Sequence, residues 1–308
     1  MKNYISIILI LSLLVFAFGC NQEAPTSKES PFIGGTTGLL ISYEKDAPPT
    51  EVYDGGDFPF DVVVKLKNDG EYTISKDNVE VNIVGIDPEE FGLSDSDFVK
   101  HPNEDLQRTY KDSEGNKIEG IPTYVTFSGL NHHKELIGNT QYTIRADVCY
   151  NYVTNANSML CIKKGQIDKD GDVCKVNEEK AVFNSGSPIQ ITSFTEIPRG
   201  KNKFNFQFTI KPKGNGAIYK KDSNCKQTRT EENKILVTVD IPGMSGLSCT
   251  GLDGGATSGY ITLYSGERTI TCTLETESER DFEKPVNIRL EYDYKESVLK
   301  GILVKHSV

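Results

Sequence analysis

Two stretches of this chain repeat each other in register. Phe58-x-Phe60-x-Val62-x-Val64-Lys65-x-Lys67-x-x-Gly70 matches Phe204-x-Phe206-x-Phe208-x-Ile210-Lys211-x-Lys213-x-x-Gly216 at a constant offset of 146 residues. Further on, Ile144-x-Ala146-x-Val148-x-Tyr150-x-Tyr152 aligns with Val286-x-Ile288-x-Leu290-x-Tyr292-x-Tyr294 at an offset of 142, and Met159-Leu160-Cys161-Ile162 meets Gly301-Ile302-Leu303-Val304 at the same offset. One alternating run proves little, but paired runs in the same order at both ends imply two homologous copies that differ by loop insertions.

Each matched run alternates apolar with polar residues at period two, which buries one face of a strand and wets the other. That pattern predicts antiparallel β structure. Lys67-Asn68-Asp69-Gly70 and Lys213-Gly214-Asn215-Gly216 read as turns, because Gly and Asn tolerate the positive φ of hairpin turns. Further strands are expected at 39–43, 79–84, 123–127, 189–194, 235–241 and 269–274. About seven short strands per copy, separated by turn signals, is the signature of a β-sandwich. Helix is confined to one short turn at Asp87-Pro88-Glu89-Glu90, with an N-cap acid, Pro at the first helical position and early carboxylates. Thr140-Gln141-Tyr142, leading into Ile144-x-Ala146-x-Val148, has the form of a tyrosine corner. The predicted fold class is all-β: two tandem immunoglobulin-like β-sandwich domains, at 36–183 and 189–308, joined by a linker at 184–188.

A targeting segment precedes them. One positive charge at Lys2, an almost unbroken apolar run from Tyr4 to Phe18, and small residues at Ala17 and Gly19 make 1–19 an export signal. Gly19-Cys20 resembles a lipobox, in which Cys20 is lipidated; Ala17-x-Gly19 also suits an ordinary signal peptidase, and an uncleaved anchor is the third alternative. Residues 20–35, rich in Pro, Ser, Thr and Gly, have the composition of a flexible tether.

The succession of strand, Asn-x-Gly turn, strand and then Tyr142-x-Ile144-x-Ala146-x-Val148-Cys149-Tyr150 resembles adhesion-type immunoglobulin-like modules of the CARDB kind, found in archaeal surface and S-layer-associated proteins. The order Cys149-Tyr150-x-Tyr152-x-Thr154, then Cys161-Ile162, then Val173-Cys174 is similar to that of a group of uncharacterised archaeal exported proteins with two such modules. The resemblance covers most of residues 36–308 and implies a fold and a location, with no catalytic residue to transfer.

Apart from Cys20, six cysteines remain, an even number in an exported chain, which predicts three disulfides. Six cysteines admit fifteen pairings. Cys249 with Cys272 would bridge the sheets of the second copy, and Cys161 with Cys174 would staple the loop between them. Cys149 and Cys225, one from each copy, would then lock the interdomain angle; Cys149 with Cys161 across a hairpin is the alternative. Zinc is disfavoured because no Cys-x-x-Cys pair occurs. Within the stapled loop, Asp168, Asp170 and Asp172 occupy places 1, 3 and 5 of a calcium-type loop, with Glu179 at place 12 counted from Asp168. Val173 stands where that loop needs Gly, and a solvated acidic turn is the plainer reading, so calcium is the sole cofactor under consideration. Asn131-His132-His133-Lys134 reads as a surface loop, and His101 and His306 as isolated.

A formal net charge of -10 argues against a nucleic-acid partner. Only the stretch near residues 4–19 is apolar enough to meet a membrane, which excludes a channel or transporter built from several spanning helices. No Gly-x-Ser-x-Gly, His-Glu-x-x-His or phosphate-binding loop occurs, so no enzyme is expected. The expected function is binding, adhesion or presentation of a binding face at the cell surface, the partners being the membrane and an unknown surface protein or glycan. A structural envelope component and an extracellular hydrolase are the rival readings.

Overall fold

The computed structural model describes residues 29–164, 173–176, 178–200 and 202–307, in which strands predominate and helix is limited to single 3-10 turns. The strands in chain order are β1 (Leu39–Tyr43), β2 (Glu51–Tyr53), β3 (Phe60–Asn68), β4 (Val79–Val84), β5 (Val99–Lys100), β6 (Tyr110–Lys111), β7 (Lys117–Ile118), β8 (Thr123–Leu130) and β9 (Thr140–Ile162). They continue with β10 (Phe183–Asn184), β11 (Ile189–Pro198), β12 (Lys203–Pro212), β13 (Ala217–Tyr219), β14 (Lys234–Asp240), β15 (Leu247–Thr250), β16 (Ser258–Thr262), β17 (Arg268–Glu275) and β18 (Phe282–Lys305). The expected strands are all present, and the expected short turn is the 3-10 helix Pro88–Phe91, whose cap Asp87 accepts from the Glu89 amide.

The second pair of matched runs, on β9 and β18, forms one layer shared by the two copies. A three-stranded sheet, β1-β3-β8, comes from the first copy and a four-stranded sheet, β11-β12-β17-β15, from the second. Both face a nine-stranded sheet in the order β16-β14-β18-β9-β4-β5, with β2, β10 and β13 attached to its long strands. Its centre is an antiparallel ladder between β9 and β18, unbroken from Thr140↔Val304 to Ile162↔Phe282. The first half of β9 serves the first copy's core, through Ile144, Ala146 and Val148, whereas its far half runs beside β11 of the second; β18 makes the reverse passage and touches β1. Apolar side chains of both copies therefore join in one core, and Phe32–Val308 is one compact unit.

Internal symmetry explains the ladder. Under the offset of 142, Asn151 is the equivalent of Asp293, and these two residues also face one another in the register. A pseudo-two-fold axis therefore passes between them. Around it four tyrosines meet, Tyr150 opposite Tyr294 and Tyr152 opposite Tyr292, all fully buried with neighbouring ring centroids 5.9–6.3 Å apart. Edge-on and tilted ring pairs of this kind add about 0.5–1.5 kcal/mol each beyond the area they bury.

The lid over this quartet is the segment expected to be a linker. Ser185 and Ser187 are buried, the Ser185 amide donates to Asn155 O at 2.8 Å, and Tyr152 Oη donates to Gly186 O at 2.9 Å. Residues 185–188 thus pack as core, with Asn184 half-buried, because the buried hydroxyls beneath them need acceptors. The far end of the expected tether is held in the same place. The amides of Ile33 and Gly34 donate to the Glu71 carboxylate, which also accepts from Gly186 N.

The repeated glycines have a reason other than turn geometry. Neither Gly70 nor Gly216 has a left-handed backbone, yet a Cβ at Gly70 would overlap the Tyr152 hydroxyl and one at Gly216 would overlap the Tyr294 ring. Close approach of the quartet therefore excludes any side chain at these two equivalent positions.

Candidate functional site

Parity sorts the chemistry of the central ladder. Even-numbered residues of β9 and β18 face the core, and odd-numbered ones face the opposite side of the sheet. On that opposite side the polar phase brings together Arg145, Asp147, Asn151, Asp293, Lys295 and Ser297, a set drawn from both copies. Asp147 is nearly buried. Its carboxylate accepts from Arg145 Nε at 2.7 Å, Ser297 Oγ at 2.8 Å and Lys295 Nζ at 2.9 Å. Burial alone would raise its pKa, but the bonds from Lys295, Ser297 and Arg145 outweigh burial and hold the carboxyl below its ordinary range.

A cleft of about 430 Å³ opens beside this cluster, lined chiefly by Arg145, Asp147, Tyr219, Gln227, Lys295 and Ser297. Tyr219 is buried and lines the opening. Glu296 borders the same opening from the other side of the sheet. Its cross-strand partner is Val148, a core-phase residue, and it accepts from Tyr150 Oη at 2.7 Å. Burial pushes the Glu296 carboxyl up, with the tyrosine hydroxyl offsetting part of the effect. Asp147 and Glu296 are thus shifted in opposite directions and belong to opposite phases of the sheet, though both line the opening.

One wall of the cleft belongs to the segment after β13, and the axis residue clamps it. Asp293 is 3% exposed and accepts from the amides of Asp222, Ser223 and Asn224 at 3.1, 2.8 and 2.9 Å, and from Ser223 Oγ at 3.1 Å. Burial raises its carboxyl against the opposing effect of those donors. Asp222, Asn224 and Cys225 all have left-handed backbones, at φ 61, 51 and 52°. Asp and Asn tolerate that region, whereas Cys225 is held there by the Cys149–Cys225 disulfide.

All six described cysteines are paired: Cys149 with Cys225, Cys161 with Cys174, and Cys249 with Cys272. The last pair differs from expectation in its place. Cys249 and Cys272 are direct cross-strand partners on β15 and β17, so the bond joins neighbours within one sheet and leaves the two layers unlinked. Cys149–Cys225 pins the cleft wall to β9. Cys20, Asp168, Asp170 and Asp172 lie outside the described residues; Glu179 is exposed, beside Thr195, and no metal-holding group of three or more side chains occurs among the described residues.

Two histidines depart from the sequence reading. His132, expected on a surface loop, is buried edge-on against Phe91, its Nδ1 donating to Lys134 O and its Nε2 3.3 Å from the Tyr142 hydroxyl. Tyr142 consequently meets side chains, where a tyrosine corner meets the backbone. His306, expected to be isolated, donates through Nδ1 to Asp54 at 2.9 Å. Asp54 also accepts from the amides of Leu136 and Ser307 and from Ser307 Oγ, and these donors hold its carboxyl well below the usual carboxylate range. His133 is exposed, and His101 Nδ1 reaches Val79 O at 2.6 Å.

The sequence reading missed Arg145, Asp147, Asp293 and Lys295. They sit in the polar phase of the two longest strands, β9 and β18, where any charged residue satisfies the pattern; the sole sign was that both strands carry the repeat-related centre. No family model matches the chain, and no curated protein matches it either.

Proposed function

We propose that this chain is a non-enzymatic protein of the cell surface, lipid-anchored at Cys20, whose two immunoglobulin-like halves act as one rigid body that presents a binding face. The observation that carries this reading is the fusion of the halves through the β9–β18 ladder, fastened by a disulfide between Cys149 of one copy and Cys225 of the other. A body ordered in advance loses little further freedom when it meets a partner, which favours recognition by a fixed surface. Three disulfides among the described cysteines indicate an oxidising, extracytoplasmic compartment. The likeness to CARDB-type adhesion modules supports the same reading, with a surface protein or glycan as partner.

Cell fractionation combined with externally added protease tests it. The wild-type chain should be found with membranes and be cleaved from outside, and Cys20→Ser should release it. Recovery of the wild type in the cytoplasm, with its thiols free, would overturn the proposal.

A further inference from the structure

The two copies differ at one edge of the central sheet. In the first copy, the side of β9 away from β18 is closed beyond β4 by the chain itself. Phe183 pairs with Asn157 and Asn184 with Ala156 in antiparallel register, and Ser185 then caps Asn155, its amide donating to Asn155 O at 2.8 Å and its hydroxyl accepting from Asn155 N at 2.9 Å. The equivalents of Asn155 and Asn157 in the second copy are Ser297 and Leu299. Among the described residues, no strand pairs with that side of β18 between Lys295, opposite Ala217 of β13, and Leu303, opposite Glu51 of β2.

The backbone there is aimed outward. Leu303 N donates to Thr50 O and Lys305 O accepts from Asp54 N, both on the side away from β9. Period-two alternation points the amides and carbonyls of Ser297, Leu299 and Gly301 the same way. Ser297 also lines the 430 Å³ cleft, and the Leu299 side chain is 63% exposed. The gap spans residues 296–302 of β18, with a paired strand at each end. It has the dimensions of a single extended segment.

We propose that this gap takes an extended peptide of a separate protein as an added antiparallel strand, with residues 183–185 as the template for its chemistry. The peptide places a hydroxyl residue opposite Ser297, where Ser185 stands opposite Asn155, and an apolar residue opposite Leu299, where Phe183 stands opposite Asn157. Main-chain bonds give affinity, and the two side-chain positions give specificity. Arg145, Lys295 and the Tyr219 hydroxyl receive the polar residues that continue into the cleft. This site rests on the proposed binding role and gives it a place.

The test is binding of a fluorescein-labelled synthetic peptide of residues 180–187, Lys-Ala-Val-Phe-Asn-Ser-Gly-Ser, to the purified oxidised protein, with hydrogen exchange read residue by residue. Saturable binding that slows exchange at Ser297, Leu299 and Gly301 is expected. Leu299→Pro removes one outward N–H and no bond of the β9 ladder, and should weaken binding by roughly tenfold. Leu299→Ala, which keeps that N–H, should weaken it by about two- to threefold, within the range of a lost apolar contact. Exchange in the wild type keeps the idea testable even if the proline variant does not fold. Absence of binding up to about 1 mM, protection at Asn155 and Asn157 instead, or slow exchange at Ser297 and Leu299 in the free protein would each overturn it. None of these outcomes depends on where the cell places the chain, so failure here and failure of the surface assignment are separate results.

Discussion

Glu196 offers the sharpest quantitative check on the core of the second half. It follows Phe194 in the inward phase of β11 and is 1% exposed, so a carboxyl stands where the alternation calls for an apolar side chain. Burial raises its pKa from 4.5 to about 7, against the Cys161 amide that donates to it at 3.0 Å and the Lys180 ammonium 3.8 Å away. A carboxyl raised in the folded state holds its proton more tightly there than in the unfolded chain. Its contribution is therefore fully present below pH 4.5 and is lost as pH rises through 7. The shift corresponds to about 3 kcal/mol of stability withdrawn across that window. Glu196→Gln keeps an acceptor for Cys161 N and removes the titration. Denaturant unfolding of both proteins from pH 4 to pH 9, approximate limits that bracket the window, should show the variant gaining about 3 kcal/mol on the wild type with rising pH. Taking the difference between the two proteins cancels Asp293 and Glu296, whose raised carboxyls act in the same direction. A difference that stays flat with pH would mean that Glu196 is solvated in the folded chain and that water reaches the packing around Cys161–Cys174.

Three further outcomes are expected. Replacing Cys149 and Cys225 together by Ser opens a loop of sequence separation 76 and should cost about 4.5 kcal/mol, against about 3 kcal/mol for the separation of 13 at Cys161–Cys174, both read from denaturant unfolding. Asp293→Ala leaves three amides without their acceptor and should cost about 3–5 kcal/mol, whereas Asp293→Asn, which keeps one acceptor oxygen, should cost less than half of that. Asp54→Ala should speed amide exchange at Leu136 and Ser307 while leaving exchange in the Tyr150 quartet unchanged, as followed by mass spectrometry.

Where side chains obey one local rule, the sequence was easy to read. Val79–Val84 alternates cleanly and is a strand with those ends, and Asp87-Pro88 starts a 3-10 turn because cap and ring both favour it. Pairing between the copies was harder. The tyrosines at 150, 152, 292 and 294 mark the repeat, but period-two alternation says which face a residue takes and nothing of which strand lies beside it. The same limit applies to the disulfides: Cys249 and Cys272 lie in strand-like runs of the second copy, yet their cross-strand adjacency follows from a register the sequence does not print. Gly70 and Gly216 read as turn residues because glycine is ambiguous between positive φ and close approach. His132 and Glu196 were illegible for a further reason, since a polar residue in the inward phase declares itself only when the partners that satisfy it are in place.

The symmetry of the two copies had to break at the axis, and that break determines where the candidate site lies. A carboxylate at both axis positions would set two buried negative charges face to face, at a cost that neither could offset. An amide at both would leave the turn at 222–224 facing a neutral group with a single acceptor oxygen. Asn151 opposite Asp293 resolves the conflict, the amide donating at 3.4 Å to the carboxylate that gathers the turn's three N–H groups. The clamped turn then belongs to one copy alone. It carries Cys225 to Cys149, raises a wall beside Lys295 and Asp147, and leaves the cleft on one side of the axis. On the other side, β10 and Ser185 close the equivalent edge. A repeat whose two halves share a core has few surfaces free to diverge, and in this chain divergence at the axis and at the edge of β18 meets at a single opening.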